Sequence, residues 1–363
     1  MDLPRRLALD SLYNIMYKHK FCEDEATKTL KGFNFSLEER DLFLDLLTGS
    51  LDNINNIFFY LEPFCDKRTK KWIKVFGLVI LYETIILKKD LDRTLDTYKP
   101  LFLVNGRLLF EKLKRIVTKA YEKSHTDITE SDTISYLSKK YSYPSWFVAY
   151  LLKDFKKSEV EELINKKRSH DVYLNSGNLD NEDIVDYIYR GEEVVLYNGC
   201  LPGERLKLIS AKAHQVFATD IDRYKINGLV KRFKNNNIDN VSFQIVKPQE
   251  VAIYAKNESF DLVVLDLPST GTGFLNRTFE WKYRLSPEGI LDVVMIMKEI
   301  LYSNCLLTKV GGNIALIISS FLKEETKDLI DAFLKEHDNF ELVDTKVIKK
   351  DNYFYLARLK RNR

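Results

Sequence analysis

Two aspartates in the second half of the chain, Asp220 and Asp266, each end a short apolar run of the kind that forms a β-strand. Ligands of an open parallel sheet bind outside the carboxyl ends of its strands, so both carboxylates are candidates to face one crevice. An acid at the end of a second strand can hydrogen-bond the ribose diol of a nucleotide-like ligand, and we expect this role for Asp220. The alternative is capping of the helix that begins near Arg223, which suits Asp222 better than Asp220.

A turn with two glycines follows the first predicted strand. It reads Asn-Gly-Cys-Leu-Pro-Gly-Glu-Arg over residues 198–205. The glycines would let the backbone approach a ligand closely, and the N-terminus of the following helix favours an anionic group. A turn that needs glycine for its conformation alone explains the pattern equally well. The candidate ligand-binding residues here are Gly199, Cys200, Leu201, Pro202, Gly203 and Arg205.

A second glycine-containing loop, Asp-Leu-Pro-Ser-Thr-Gly-Thr-Gly at 266–273, follows the fourth predicted strand. It could hold a flat base against a cofactor, although a plain strand-to-helix connection explains it as well. Ser319 and Ser320 follow the fifth predicted strand and would face the same crevice. We therefore predict that two loops converge on one pocket.

A parallel sheet is needed to bring these loops together. The sequence after residue 183 shows the alternation of strands and helices that such a sheet requires. Five β-rich runs, at 194–197, 215–219, 241–246, 261–265 and 313–319, alternate with helical stretches. This alternation is typical of a parallel sheet covered on both faces. The last two runs, 340–348 and 353–359, predict an antiparallel hairpin.

The first half differs, because its apolar residues recur at helical spacing from residue 4 to about 164. Ser36 and Glu39 form the pattern of a capping box, which predicts a helix start. Apolar stripes at 72–85 and 102–116 predict two more helices. We expect an all-α bundle.

Basic residues cluster in this helical half. They are Lys67, Arg68, Lys70, Lys71 and Lys74, then Lys112, Lys114 and Arg115, then Lys166, Lys167 and Arg168. Solvated helix faces and a phosphate-binding surface both explain such clusters. The net charge of +3 does not decide between them, because nucleic-acid binding depends on where Lys and Arg gather.

Length and composition limit the class of protein. The chain has 363 residues, of which 45% are hydrophobic and 30% charged, and this fits two compact domains. Its four cysteines form no CxxC pair, which argues against a zinc site and favours a reducing cytoplasm. The apolar run 75–87 is interrupted by Glu83 and is shorter than the roughly 20 residues that cross a bilayer. We expect neither a metal nor a membrane.

The order of motifs resembles that of the bacterial small-subunit rRNA cytosine-5 methyltransferases. Residues 104–109 look like the asparagine-containing helix motif of the family's NusB-like domain, and 143–146 resemble its Pro-Ser-Trp linking region. The loop 266–273 resembles Asp-Ala-Pro-Cys-Ser-Gly-Thr-Gly, and 352–355 resembles the closing Gly-Phe-Phe strand. Gly311 and Gly312 precede the strand that leads to the family's Thr-Cys-Ser.

The resemblance implies an all-α NusB-like N-terminal bundle plus an α/β Rossmann-like seven-stranded methyltransferase domain. The implied boundaries are 1–135 for the RNA-binding bundle, 136–185 for a connecting region and 186–363 for the methyltransferase-like domain. S-adenosyl-L-methionine is the implied cofactor, and RNA, in particular rRNA, is the implied partner.

The implied cofactor site departs from the family loop Asp-Leu-Cys-Ala-Ala-Pro-Gly-Gly-Lys. The departures are Tyr197 for the acid, Glu204 for the second glycine, Arg205 for the lysine and, after the third strand, Lys247 for a further acid. Asp220 and Asp266 are kept. The stretch between residues 175 and 193 is shorter than the family's, which carries a Gln-Asp segment that lines the cleft.

Serine replaces both cysteines of the family's chemistry. Ser319 aligns with the nucleophile and Ser269 with the cysteine that helps release the product; together with Asp266 they are the candidate catalytic positions. C5 of cytosine becomes nucleophilic only after a strong nucleophile adds at C6, and a thiolate is accessible where a serine alkoxide is not. A serine would need an adjacent base, and none of the five histidines falls in these loops. We expect cytosine-5 methylation to be lost.

Three functions remain open on the sequence. An RNA-binding protein without catalysis explains the concerted change across several loops. An active methyltransferase with altered chemistry is suggested by Asp266-Leu267-Pro268, which is faintly similar to the Asp-Pro-Pro loops of amino-group methylases. The third is a protein-interaction module whose NusB-like half binds another protein.

Overall fold

The computed structural model describes residues 2–102, 107–126, 132–165, 180–275, 278–350 and 352–363. Two compact units account for the chain, Met1–Ser176 with Leu275–Arg284, and Gly177–Phe274 with Leu285–Arg363. Residues 104–106 of the asparagine motif and the basic run 166–168 lie outside the described residues. Among the described residues, no helix is both long and apolar enough to cross a membrane.

The first unit is helical, as predicted. Its helices are α1 (Leu3–Lys18), α2 (Cys22–Gly32), α3 (Leu37–Asp52), α4 (Ile54–Leu61), α5 (Lys71–Leu81), α6 (Leu91–Phe102), α7 (Arg107–Thr126), α8 (Thr133–Tyr141), α9 (Ser145–Asp154) and α10 (Lys157–Ile164). The capping box is confirmed, since the Glu39 amide donates to Ser36 Oγ at 3.2 Å and the Ser36 amide to Glu39 Oε2 at 2.9 Å. Of the helix predicted at 102–116, Phe102 lies in α6 and 107–116 lie in α7, while 103–106 lie outside the described residues.

A buried acid explains how the apolar run 75–87 tolerates a charge. Glu83 is 1% exposed, lies in a short π-helical turn after α5, and accepts from Arg5 Nη2 at 2.9 Å and from Lys89. Two cations thus replace the water that the carboxylate loses on burial.

The second unit is built on a seven-stranded sheet, which confirms the predicted fold class. The strands are β1 (Val194–Asn198), β2 (Gln215–Asp220), β3 (Val241–Ile245), β4 (Phe260–Leu267), β5 (Thr308–Ile318), β6 (Phe340–Lys349) and β7 (Tyr353–Arg361). The order is β3-β2-β1-β4-β5-β7-β6. β1 to β5 run parallel, and the predicted hairpin of β6 and β7 adds to β5 in antiparallel fashion. The strand order therefore reverses between β1 and β4, where a crevice forms in such sheets.

The remaining helices are α11 (Asn181–Ile188), α12 (Glu204–Ser210), α13 (Arg223–Asn235), α14 (Trp281–Arg284), α15 (Pro287–Asn304) and α16 (Lys327–Glu336). Among them α14 belongs to the helical unit. There Lys282 is 6% exposed, and its ammonium donates to Asp52 Oδ1 at 2.6 Å and to the Tyr141 carbonyl at 2.9 Å. No sequence pattern predicted that this segment belongs to the first unit.

Candidate functional site

The glycine turn after β1 is shaped by close backbone approaches. Gly199 has φ +81°, and a Cβ there would lie 2.6 Å from the Asp266 carbonyl oxygen. The amides of Gly199 and Cys200 both donate to the Thr219 carbonyl, at 3.0 and 3.1 Å. The conformational explanation of this glycine is therefore sufficient, and it also brings the turn against the loop that follows β4.

Gly203 and Glu204 begin α12 beside an arginine of α13. Gly203 has φ +103°, and a Cβ there would lie 2.4 Å from Leu229 Cδ1. Arg232 donates to the Pro202 carbonyl at 2.7 Å and pairs with Glu204 at 3.2 Å. The carboxylate that replaces the family's glycine thus has a cation beside it.

Asp220 lies at the carboxyl end of β2 and organises the two turns nearest to it. Its Oδ2 accepts from the Leu201 amide at 3.3 Å, and its Oδ1 accepts from the Ile221 amide at 2.7 Å. Helix α13 is capped by Asp222 instead, which accepts from the Lys225 amide at 3.0 Å. Asp220 is thus not needed as the cap.

The carboxylate of Asp266, one residue before the end of β4, is held by side chains of α12 and β1. Its Oδ2 accepts from Arg205 and, at 3.3 Å, from the Tyr197 hydroxyl. Arg205 Nε donates to Asn181 Oδ1 at 3.0 Å, and the guanidinium lies 5.0 Å from the ring centre of Phe354. The two residues that replace the family's lysine and acid therefore both contact Asp266.

Burial dominates the electrostatics of this ion pair. It raises the pKa of Asp266, and Arg205 offsets part of that rise. Burial also disfavours the charge of Arg205, but the Asp266 carboxylate outweighs it and raises the pKa of the guanidinium. We conclude that Arg205 keeps its charge and favours the ionised form of Asp266 against the effect of burial.

The two candidate catalytic serines meet at the rim of the sheet. Ser269 Oγ lies 2.9 Å from Ser319 Oγ and 3.2 Å from the Ser319 carbonyl oxygen. The Gly271 amide donates to Ser269 Oγ at 3.2 Å. The structure thus brings together two positions that are 50 residues apart in the chain.

A buried carboxyl joins the two serine loops. Glu325 is fully buried and accepts from the Thr270 amide at 2.5 Å, from the Thr270 hydroxyl at 2.7 Å and from the Ser320 hydroxyl. Ser320 Oγ also lies 2.8 Å from Thr272 Oγ1. Burial raises the pKa of Glu325, and these hydrogen bonds oppose the rise.

Gly273 closes the same loop against two strands. A Cβ there would lie 2.1 Å from the Tyr353 carbonyl oxygen and 2.8 Å from the Ser319 carbonyl oxygen. No side chain fits at these distances, so a substitution would separate the Ser269 and Ser319 loops.

Cys200, although it lies in the glycine turn, does not supply a reactive thiolate. It is 2% exposed, and burial, with a smaller effect of the Asp220 charge, raises the pKa of its thiol. A thiol must ionise to act as a nucleophile. Lys247, for its part, pairs with Glu250 at 3.0 Å, and both side chains are largely exposed.

Sequence reasoning missed several residues of this site. Asn181 comes from the shortened stretch before β1, Phe354 from the closing hairpin, and Glu325 from the segment before α16. Each acts through a contact between distant segments, so no local pattern marked it. The run of aromatic residues at 353–355 was the one available signal.

Several known proteins are similar to this chain in sequence. The family described as 16S rRNA methyltransferase RsmB/F matches residues 189–357. The probable ribosomal RNA small subunit methyltransferase B of Bacillus subtilis (strain 168) is 20% identical over 399 residues, covering 93% of this chain and 89% of that protein. The ribosomal RNA small subunit methyltransferase B of Photorhabdus laumondii is 29% identical over 135 residues, covering 37% of this chain and 31% of that protein.

The fold has a solved counterpart as well. The crystal structure of PH0851 superimposes with a TM-score of 0.76 at 16% identity and covers 99% of both chains. This likeness concerns the fold alone. Similarity to the 16S rRNA methyltransferase RsmB/F family rests on the sequence match over residues 189–357, just under half of the chain.

Proposed function

We propose that this chain is an RNA-binding member of the 16S rRNA methyltransferase RsmB/F family that no longer methylates C5 of cytosine. The observation that carries the proposal is the pair of serine hydroxyls, 2.9 Å apart, at the positions of the family's two cysteines. Among the residues that the structure describes, these hydroxyls form hydrogen bonds with each other, with the Ser319 carbonyl and with the Gly271 amide. Neither a hydroxyl, a carbonyl nor an amide is a base able to ionise serine.

Cytosine-5 methylation depends on an ionised nucleophile, which the two serine hydroxyls do not provide. A free thiol has a pKa of about 8.5, so a useful fraction is thiolate near neutral pH. A serine hydroxyl is not ionised to a useful extent near neutral pH, so an adjacent base must remove its proton during attack. Without addition at C6, C5 of cytosine stays unreactive towards a methyl donor.

S-adenosylmethionine is the cofactor that we propose for the crevice, with reduced affinity. Asp220 fits a ribose diol for two reasons. Backbone amides orient both of its carboxylate oxygens, and the residue is only partly buried. Gly199 keeps the turn after β1 against the loop after β4, where a side chain would collide with the Asp266 carbonyl. When bound, the cofactor would supply an electrophilic methyl group; Glu204 and Lys247 alter the charge of its surroundings.

RNA is the proposed partner of the helical unit, which we take to be NusB-like. Lys67, Arg68, Lys70 and Lys71 are exposed at and before the start of α5. Lys74 and Lys112 differ, since they have acidic partners, Glu62 at 3.8 Å and Asp66 at 3.0 Å. The exposed four are therefore the better candidates for phosphate contacts. The four free cysteines agree with the reducing cytoplasm that we expect for such a protein.

Two titrations test the proposal on the full chain. Fluorescence anisotropy with a structured rRNA fragment should show binding that weakens steeply with salt, because bound phosphates release counterions. Lys70→Glu with Lys71→Glu should weaken it about tenfold or more. Calorimetric titration with S-adenosylmethionine measures what remains of the cofactor site. Absence of RNA binding at low salt would contradict the proposed function.

A further inference from the structure

A strip of alternating aromatic and lysine side chains crosses the helical unit away from the start of α5. We define the aromatic–lysine strip by Phe59 of α4, Lys123 of α7, Tyr136, Lys139 and Lys140 of α8, and Lys157 of α10. We propose that the strip binds single-stranded RNA by stacking bases on its rings and pairing phosphates with its lysines. This inference rests on the proposed RNA-binding function and names a surface for it.

Phe59 is the centre of one end of the strip. Its side chain is 46% exposed, although α4 otherwise buries its apolar residues. The ammonium groups of Lys123 and Lys139 lie 5.0 and 4.8 Å from its ring centre. An exposed ring with two ammonium groups near it offers a base a stacking partner and offers phosphates two cationic ligands.

Tyr136 repeats the arrangement at the other end. The ammonium groups of Lys140 and Lys157 lie 5.1 and 5.4 Å from its ring centre. Tyr136, Lys139 and Lys140 project within about 100° of arc on one side of α8, as helical geometry requires for this spacing. The opposite side carries the buried Leu137 and Ser138. One face of α8 therefore connects both ends of the strip.

The positive charge of the strip indicates which kind of ligand it binds. Within the described part of the helical unit, the strip carries four lysines, and Lys140 pairs with Glu161 at 3.8 Å. This excess of positive charge favours a polyanion, and the flat rings favour one that carries bases rather than carboxylates. Duplex RNA hides its base faces, so an unpaired segment suits the strip better.

The test compares matched variants of the full chain by anisotropy, using single-stranded RNA of about 12 nucleotides and a duplex of the same length. Phe59→Ala should weaken single-strand binding about tenfold and leave duplex binding nearly unchanged, whereas Phe59→Tyr, which keeps the ring, should bind like wild type. Lys139→Gln with Lys140→Gln should also reduce the salt dependence, lowering the log–log slope by about 1.4. Lys256→Gln with Lys335→Gln, two exposed lysines of the other unit, is the charge-matched control.

The outcomes separate this inference from the proposed function. If wild type binds RNA and both strip variants bind equally well, the strip is not the surface, while the proposed function stands. If wild type binds neither RNA, the proposed function fails and the strip with it. Displacement of the RNA by an equal charge of polyglutamate, with no dependence on Phe59, would assign the strip to an acidic protein and overturn the inference. Circular dichroism confirms that each variant is folded.

Discussion

Arg205 of α12 pairs with Asp266 of β4, and the two side chains are only 13% and 22% exposed. A buried pair loses most when one partner is removed, because the remaining charge is left without compensation. Arg205→Ala should therefore lower the free energy of unfolding by about 3 to 5 kcal/mol at neutral pH. Urea denaturation followed by circular dichroism measures this change.

An exposed pair of the same unit is the control. Lys212 pairs with Asp186 at 3.0 Å with side chains 48% and 69% exposed, so Lys212→Ala should cost about 1 kcal/mol or less. Similar losses for both variants would show that Asp266 does not depend on Arg205. The loss for Arg205→Ala should also shrink in acid, where protonation of Asp266 removes the uncompensated charge.

Glu325 should contribute to the pH dependence of stability. Its folded-state pKa lies above the ordinary value of 4.5 because it is buried. Between these two values the folded state holds a proton that the unfolded state has released, so stability falls as pH rises through this window. Glu325→Gln, which keeps an acceptor and a donor, should remove this slope.

The measurement is the free energy of unfolding of wild type and Glu325→Gln from pH 4 upwards, about one unit apart. The difference between the two should change with pH in favour of the variant. Glu325→Ala should also lack the slope, but it should cost about 3 kcal/mol at pH 4, because it leaves the buried Thr270 amide without an acceptor. Parallel profiles for wild type and Glu325→Gln would contradict the assignment.

Asp220 and Asp222 allow a matched test of the cofactor site. Asp220→Ala should weaken S-adenosylmethionine binding at least tenfold, since a ribose would lose a charged hydrogen-bond acceptor. Asp222→Ala removes the cap of α13 and should cost about 1 kcal/mol of stability without changing cofactor affinity. Calorimetry on both variants decides, and an equal loss of affinity would mean that helix α13, not Asp220, carries the effect.

The sequence predicted the fold better than the contacts within the site. Alternating β-rich and helical runs were enough to predict the parallel sheet, because each run has its own periodicity. The rule that ligands bind at the carboxyl ends of parallel strands predicted that the loops at 266–273 and 319–320 converge, and Ser269 and Ser319 lie close together. The partners of Asp266 did not follow from the sequence, since Arg205 and Asn181 meet only after the chain folds.

In the helical unit, too, local features could be predicted from the sequence and long-range contacts could not. Capping by Ser36 was predictable because its signal lies within four residues. The return of α14 was not, since the Lys282–Asp52 pair joins residues 230 positions apart. Long-range ion pairs leave no periodic pattern in a single sequence.

The most direct test of the account is methyl transfer from radiolabelled S-adenosylmethionine to rRNA fragments, with digestion to identify the product nucleoside. We predict no 5-methylcytosine for wild type. Ser319→Cys with Ser269→Cys should not restore it alone, because Glu204, Lys247 and Tyr197 still weaken the cofactor site; adding Glu204→Gly, Lys247→Asp and Tyr197→Asp tests whether both defects act together. Formation of 5-methylcytosine by the wild-type chain at an enzyme-like rate would contradict the account.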